Sequence, residues 1–174
     1  MTYSIIARCP RTGRFGVGST TFSMACGRRN ESVRPNVGVS KSQAFYLRYV
    51  DPLALNMLAQ GHTPQHIVRM LAADDPDFDY RQFGIIDREN NVVAHTGPVC
   101  GQWAGHTVGP YYAAYGNGLA GPQVVAGIVA GSCDVVCPPF CAATAKPLRN
   151  SGNPAVPVWA PVAAGSDPSV PPPP

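Results

Sequence analysis

The chain has few lysines and no long apolar segment. Its 174 residues include only Lys41 and Lys146 as lysines, and 13 basic against 10 acidic residues give a formal net charge of +3. So small a basic excess is not the electrostatic footprint of a nucleic-acid-binding protein. The sequence also has neither an apolar run of bilayer length nor the basic and apolar regions of a signal peptide. We therefore expect a soluble, cytoplasmic protein with no nucleic-acid or membrane partner.

Composition divides the chain into two parts. A chain of this length can bury one sizeable core, and without an export signal its six cysteines are expected to stay reduced. Beyond Gly131 lie 11 of the 19 prolines and half of the cysteines. We expect residues 1–131 to form one folded domain and residues 132–174 to be a disordered Pro/Cys-rich tail, with a frameshift or truncation as its leading explanation. A metal site in that tail is the alternative, although its Cys-x3-Cys-x3-Cys spacing supplies one ligand too few for a closed zinc site.

Turn residues and alternating patterns predict strands on both sides of a helix pair. Two hairpins are expected near residues 1–21 and 83–96, a further strand over residues 37–43, and two more strands between residues 103 and 116. In the strand over residues 37–43, Lys41 and Gln43 share one face. Asp51-Pro52 and Thr63-Pro64 each combine a capping oxygen with proline at the first helical position, which predicts two helix starts. A last helix is expected over residues 122–131. This element order favours an α+β fold.

The start of the chain places a small hydroxyl side chain directly after Met1. Removal of Met1 leaves Thr2 with both a free α-amine and a hydroxyl. The amine titrates near about 7.7 to 8.0, so it is partly neutral at physiological pH and can serve as the base for its own hydroxyl. The alternative is a buried first strand with an inert threonine.

Several segments, in register along the chain, carry a resemblance to a known family. They are MTYSIIAR at 1–8, TG at 12–13, SQA at 42–44, RQFGIID at 81–87, WAGH at 103–106 and GNGLAGP at 116–122. Over residues 1 to about 131 the chain resembles the domain of unknown function 1028 family, bacterial proteins placed in the N-terminal-nucleophile (Ntn) hydrolase superfamily. The resemblance implies an Ntn-hydrolase-like four-layer αββα sandwich, here C-terminally incomplete. It also implies that Thr2 is the nucleophile in amide hydrolysis or acyl transfer.

Four further residues are candidates for the same site. Asn117, between two glycines, offers an amide donor for an oxyanion, whereas the alternative is a turn residue in a left-handed conformation. His106 and Asp87 are polar groups within the matched segments that could orient the amine or a water, or could be purely structural. Lys41 lies outside the matched segments; facing the N-terminus, it would lower the pKa of Thr2, as a lysine does in proteasome-like members.

These residues lead to one hypothesis and two alternatives. The first is an Ntn-type amidohydrolase acting on a small amide-containing molecule, with no cofactor or metal. The second is a non-catalytic ligand-binding or assembly module with the same fold. The third is a thiol or metal protein that uses the tail cysteines, whereas Cys26 and Cys100 have no recognisable base nearby. Because missing terminal strands would leave a sheet edge unpaired, we also expect self-association into a homo-oligomer.

Overall fold

The computed structural model describes residues 1–24 and 32–136 and, beyond them, two short strands. Within these parts the elements in chain order are β1 (Thr2–Arg8), β2 (Phe15–Thr21), β3 (Val33–Arg34), β4 (Gly38–Ala44), α1 (Val50–Ala59), α2 (Pro64–Asp74), β5 (Arg81–Asp87), β6 (Val92–Thr96), β7 (Trp103–Gly109), β8 (Tyr112–Leu119), α3 (Pro122–Val136), β9 (Pro147–Leu148) and β10 (Val158–Trp159). A short 3-10 helix, Phe78–Tyr80, leads into β5.

The strands form two antiparallel four-stranded sheets. The first sheet has the order β2-β1-β8-β7 and the second β3-β4-β5-β6, while β9 pairs with β10. The hairpins β1–β2 and β5–β6 join neighbours in sequence, as predicted, whereas β1 and β8 pair across most of the domain. The fold is therefore α+β, and the chain's own first strand lies in the middle of a sheet.

Helices cover the outer face of each sheet. Ala54 and Leu55 of α1 and Ile67 of α2 pack with Phe83 and Ile85 on the second sheet. On the other side, α3 packs on the first sheet. The layers are a helix pair, two sheets and a third helix, which makes a sandwich. Among the described helices, none has both the length and the apolar character that a membrane crossing needs.

The two predicted helix starts have different outcomes. Thr63 caps α2 as expected, since its side chain accepts the backbone N–H three residues on, at 3.3 Å. The prediction that Asp51 caps α1 is wrong, because α1 begins at Val50 and Tyr49 is at its N-cap position. The Asp51 carboxylate is buried and accepts hydrogen bonds from the hydroxyls of Ser40 and Ser42 in β4, at 2.8 and 2.9 Å. The Asp51 carboxylate thus binds hydroxyl groups of the sheet instead of the backbone N–H groups at the start of the helix.

The glycine-flanked segment around Asn117 is also different from the prediction. It lies inside β8 rather than in a turn before α3. Gly118, with φ of 61°, takes the left-handed conformation that was considered for Asn117. The last helix continues to Val136, past the predicted domain boundary at Gly131. Most of the predicted tail lies outside the described residues, together with Cys26, Cys137 and Cys141.

The space between the two sheets changes character from one end to the other. Because side chains alternate along a strand, every second residue of β1, β4, β5 and β8 points into this space. At one end these side chains are apolar, and we call this the aliphatic end; its buried members are Ile6, Val39, Ile86 and Ala113. At the other end they are hydroxyls and amides, and we call this the polar end; its buried members are Ser4, Gln43, Gln82 and Asn117. Lys41 and Gln43 share the inward face, as predicted.

Candidate functional site

Thr2 lies at the polar end, at the start of the central strand β1. It is opposite Thr21 of β2 on one side and Asn117 of β8 on the other. The Thr2 hydroxyl oxygen lies 2.9 Å from the Thr21 hydroxyl oxygen, and Thr2 is half-buried. Thr2 shares its face of the strand with Ser4 and Ile6, so its hydroxyl is directed between the sheets. The predicted nucleophile is therefore held by pairing on both sides.

Met1 passes close to Gly118 before the chain enters β1. A Cβ atom at Gly118 would lie 3.3 Å from both the Cα and the nitrogen of Met1. The glycine thus provides both the left-handed backbone and the room that the N-terminal residue needs. Met1 itself is 52% exposed.

Gln82 is the centre of a buried hydrogen-bond network at the polar end. Its Oε1 accepts from Asn117 Nδ2 at 2.9 Å and from Gln43 Nε2 at 2.7 Å. Its Nε2 donates to the Gly116 carbonyl oxygen at 2.8 Å and to Thr96 Oγ1 at 3.0 Å. Gln82 is fully buried, so the amide is oriented by protein partners. The network connects both sheets and fixes the Asn117 side chain.

Along this network each group donates its hydrogen bond to the next, from Ser19 towards Thr96. Ser4 Oγ donates to Gln43 Oε1 at 2.6 Å, so the proton between Ser4 and Ser19, at 2.8 Å, belongs to Ser19. Gln43 then donates to Gln82, and Gln82 donates to Thr96. The Ser4 hydroxyl and the Gln43 and Gln82 amides each both donate and accept, as buried polar groups require.

His106 lies at the other end of this series of hydrogen bonds. Its Nδ1 is 2.9 Å from Thr96 Oγ1. Thr96 accepts from Gln82, and its own proton can be donated to Nδ1 when the ring proton is on Nε2. Removal of part of the ring from water lowers the pKa of His106, and nearby His95 lowers it further. Both effects favour the neutral ring. His106 therefore joins the group through Thr96, without a direct hydrogen bond to Thr2.

Lys41 lies deeper in the interior than the network. It is buried, and its Nζ is 5.8 Å from the ring centroid of Tyr46. Lys41 is two residues inward from Gln43, whereas Thr2 is two residues outward from Ser4. The Ser4–Gln43 hydrogen bond therefore separates the Lys41 and Thr2 positions along the strands. Lys41 and Gln43 share one face, as predicted, but the register places Lys41 two layers below Thr2.

Asp87 lies at the opposite end of β5 and is not part of this group. Its carboxylate accepts hydrogen bonds from the backbone N–H groups of Glu89 and Asn91, at 2.9 and 2.8 Å, and from Asn91 Nδ2 at 2.7 Å. It holds the turn between β5 and β6. Its position at the aliphatic end excludes it from orienting an amine at Thr2.

Cys100 has a structural environment. Its thiol donates to the Arg81 carbonyl oxygen at 3.2 Å, and burial raises the pKa of Cys100. A thiol with a raised pKa is a poor nucleophile.

Sequence reasoning gave no role to Ser4, Gln43 and Gln82. A signal was present in β5, where Gln82 shares an alternating face with Gly84 and Ile86. A glutamine on the inward face of an otherwise apolar strand must find partners inside the protein. Its partners come from strands distant in sequence, which periodicity does not reveal.

Comparison with known proteins adds a family. Residues 2–133 match the model of a family of unknown function, DUF1028. A crystal structure of a Silicibacter pomeroyi protein that matches the same family model has a TM-score of 0.70 and 28% identity, over 74% of this chain and 60% of that one. This chain thus spans less than two thirds of that protein's length. Among curated proteins none matches. The family predicted from the motifs is confirmed over most of the sequence, and the chain belongs to the DUF1028 family.

Proposed function

We propose that this protein is an Ntn-type amidohydrolase with an Ntn-hydrolase-like αββα fold, in which Thr2 becomes the nucleophile once Met1 is removed. The observation that carries the proposal is the position of Thr2. It opens a central strand, faces the polar end of the interior and lies opposite Asn117, while the preceding Met1 is half-exposed. The substrate is a small amide-containing molecule.

Loss of Met1 would place a base beside a nucleophile without moving either strand. The Thr2 nitrogen, now in a peptide bond, would become an α-amine whose pKa in a free N-terminus is about 7.7 to 8.0. Pairing of β1 with both β2 and β8 would hold this amine and the Thr2 hydroxyl in a fixed relation. An amine close to neutrality at working pH is suited to general-base catalysis.

The reaction proceeds in two balanced steps. In the first, the Thr2 hydroxyl proton moves to the neutral α-amine as Oγ bonds to the amide carbonyl carbon. The C–N bond then breaks, and the ammonium group gives the proton to the departing nitrogen, leaving an ester on Thr2. In the second, the amine takes a proton from water as its oxygen adds to the ester. The C–Oγ bond breaks, the proton returns to Oγ, and a carboxylic acid is released.

Asn117 supplies the donor for the negative charge that develops on the carbonyl oxygen. Its Nδ2 carries two protons, of which one is directed to Gln82 Oε1. The second is available to an oxyanion near Thr2. A donor of this kind contributes about 3 to 4 kcal/mol to transition-state stabilisation. Gln82 serves as a positioning residue because it fixes which way the Asn117 amide faces.

The test begins with the N-terminus. Intact mass of the purified protein is expected to be lower than the full sequence by one methionine residue. Incubation with an electrophilic amide-like probe, such as a β-lactone, is expected to label the wild type at Thr2. Turnover in a panel of small chromogenic amides should fall at least about a thousandfold in Thr2→Ala.

A matched control separates catalysis from general effects of the mutation. Thr20→Ala makes the same change on β2, at an exposed position on the opposite face of the sheet. Thr20→Ala should keep wild-type labelling and turnover. Retention of Met1, or equal labelling of wild type and Thr2→Ala, contradicts the proposal.

A further inference from the structure

We infer that Thr21 is a second catalytic hydroxyl of this site: once Met1 is removed, it donates to Thr2 Oγ and stabilises the charge on that oxygen as the ester intermediate breaks. The inference rests on the proposed function and adds a residue that touches the reacting atom. The observation behind it is a pair of hydroxyl groups on neighbouring strands, with the Thr2 and Thr21 oxygens 2.9 Å apart. The Met1 carbonyl oxygen is bonded to the same pair.

The Thr21 hydroxyl is held in place by a strand and by a turn. Thr21 is the last residue of β2 and lies directly opposite Thr2 in the antiparallel pairing, so their side chains are neighbours on one face of the sheet. Beyond Thr21 the chain bends, and the backbone N–H of Ser23 donates to Thr21 Oγ1 at 3.2 Å. A hydroxyl that accepts from the N–H two residues on is a common turn motif. The pairing therefore sets the face on which the hydroxyl lies, and the turn restricts its rotation.

While Met1 is present, three hydrogen bonds use the whole capacity of the Thr21 hydroxyl. Such a group has one proton to donate and two lone pairs that accept. The Thr21 proton is directed to the Met1 carbonyl oxygen at 3.3 Å, and one lone pair accepts from Ser23. The other lone pair then accepts the proton of Thr2. In this state the nucleophile donates its proton to Thr21 and not to the nitrogen of its own residue.

Removal of Met1 takes away the acceptor of the Thr21 proton. The carbonyl group leaves with the methionine, whereas the pairing of β1 with β2 involves Thr2 and the residues after it. Thr2 Oγ, at 2.9 Å, is then within reach of the Thr21 proton. The new α-amine accepts the proton of Thr2, as its role as general base requires. Processing of the N-terminus thus reverses the hydrogen bond between the two hydroxyls.

The reversed hydrogen bond acts in the second step of the reaction. Water adds to the ester carbonyl carbon, the C–Oγ bond breaks, and its electron pair moves to Thr2 Oγ, which takes a proton from the α-ammonium group. Thr21 donates a hydrogen bond to this oxygen while negative charge develops, and it keeps its own proton throughout. Hydrogen bonds to charged groups are stronger than those between neutral ones. The N–H of Ser23 polarises the Thr21 hydroxyl and makes it a better donor.

The next hydroxyl pair along the same two strands has a different role. Ser4 and Ser19 are two residues inward from Thr2 and Thr21, and their oxygens lie 2.8 Å apart. Ser4 donates to Gln43 of the second sheet, so the direction of its proton is fixed by the buried network. The acceptor for the outer pair is the Met1 carbonyl oxygen, which processing removes. The outer pair can therefore reverse its hydrogen bond, and the inner pair cannot.

The experiment separates the two steps with p-nitrophenyl acetate and protein that lacks Met1. The first step releases nitrophenolate in a burst and leaves an acetyl ester on Thr2, and the steady rate that follows reports hydrolysis of this ester. Thr21→Val replaces the hydroxyl by a methyl group of similar size. It should keep the burst, while the steady rate falls about tenfold to a hundredfold through loss of one hydrogen bond to a charged group. Intact mass should show that the ester persists correspondingly longer.

Two further variants separate the hydroxyl from general effects of the mutation. Thr21→Ser keeps the hydroxyl and should restore the steady rate. Thr20→Val makes the same change as Thr21→Val at the neighbouring residue, which is exposed on the opposite face of the sheet. It should keep both the burst and the steady rate of the wild type.

Three results overturn the inference, and they differ in what they say about the proposed function. Equal steady rates for Thr21→Val and Thr20→Val, with a burst in both, remove the role of Thr21 while the catalytic proposal stands. A slow Thr21→Val that Thr21→Ser does not restore assigns the effect to packing, with the same conclusion. If the wild type gives neither a burst nor an ester on Thr2, the catalytic proposal fails, and the role of Thr21 fails with it.

Discussion

The two ends of the space between the sheets use the same strands for different purposes. β1 contributes Ile6 to the aliphatic end and Thr2 to the polar end, and β5 contributes Ile86 and Gln82 in the same way. Apolar contacts are non-directional, so the aliphatic end favours close sheet packing without fixing the orientation of any group. Hydrogen bonds are directional, so the polar end does fix orientations. One end stabilises the sandwich, and the other fixes the orientation of the polar groups beside Thr2.

The largest effect on stability is expected at the aliphatic end. Ile6→Ala removes a fully buried side chain from between the sheets and should lower the free energy of unfolding by about 4 kcal/mol. Because Ile6 is two layers from Thr2, the kcat of the folded variant should not change. Chemical denaturation measures the first quantity and amide turnover the second. Ile5→Ala, on the same strand but half-buried under α3, should cost about half as much.

A loss of catalysis in folded Ile6→Ala would mean that the two ends are not separate.

A smaller loss of stability, with a change in chemistry, is expected at the polar end. Gln82→Met keeps the side chain's length but leaves Asn117 Nδ2 and Gln43 Nε2 without their acceptor. Unpaired buried donors should lower the free energy of unfolding by about 2 to 3 kcal/mol. With Asn117 no longer held, kcat for a small chromogenic amide should fall while its KM stays the same. Gln65→Met, at an exposed position on α2, is the control for the substitution itself.

Equal kcat for Gln82→Met and Gln65→Met would show that the network has only a structural role.

The smallest expected effect is on the pH dependence of stability, and it concerns a residue outside the space between the sheets. Burial lowers the pKa of His95, and the hydrogen bond to the Phe78 carbonyl oxygen and the charge of Asp79 offset only part of this effect. The unfolded chain therefore binds a proton more readily than the folded one. The contribution of His95 is fully present above its ordinary pKa of 6.5 and is lost as pH falls through the folded value.

When the pH is lowered from about 7.5 to about 5, the His95→Phe variant should lose less stability than the wild type does. Thermal unfolding at a series of pH values measures this difference. His62→Phe changes an exposed histidine and should retain the wild-type dependence. Identical curves for His95→Phe and the wild type would contradict the assignment.

Local sequence patterns predicted the elements better than they predicted the site. Alternation and turn residues gave both hairpins, and the Thr63-Pro64 pair gave the start of α2, because each depends on residues close together in the chain. Asp51 has the same local signal, yet hydroxyls on β4 bind its carboxylate. Tertiary partners decided between two equally good local choices.

The candidate site depended on contacts between distant residues. Thr2 was a candidate because of its position at the start of the chain, and Asn117 because of its amide side chain. That they lie opposite each other could not be predicted, because β1 and β8 are more than a hundred residues apart in the sequence. The place of Gln82 between Gln43 and Asn117 requires two sheets to be stacked in one register. Asp87 matched the same motif as Gln82 and lies at the other end of the strand. A motif identifies the strand, and only the fold shows which of its ends bears the site.

Gly84 has a consequence for how water is distributed in the interior. A Cβ at this position would come within 2.8 Å of the Tyr115 ring and 2.9 Å of Ile6. The Tyr115 ring packs against this glycine, and its hydroxyl donates to the Lys41 carbonyl oxygen on the opposite sheet. The fully buried Tyr115 ring thus lies between Thr2 and the aliphatic end, and we expect solvent that enters beside Thr2 to be stopped at this ring.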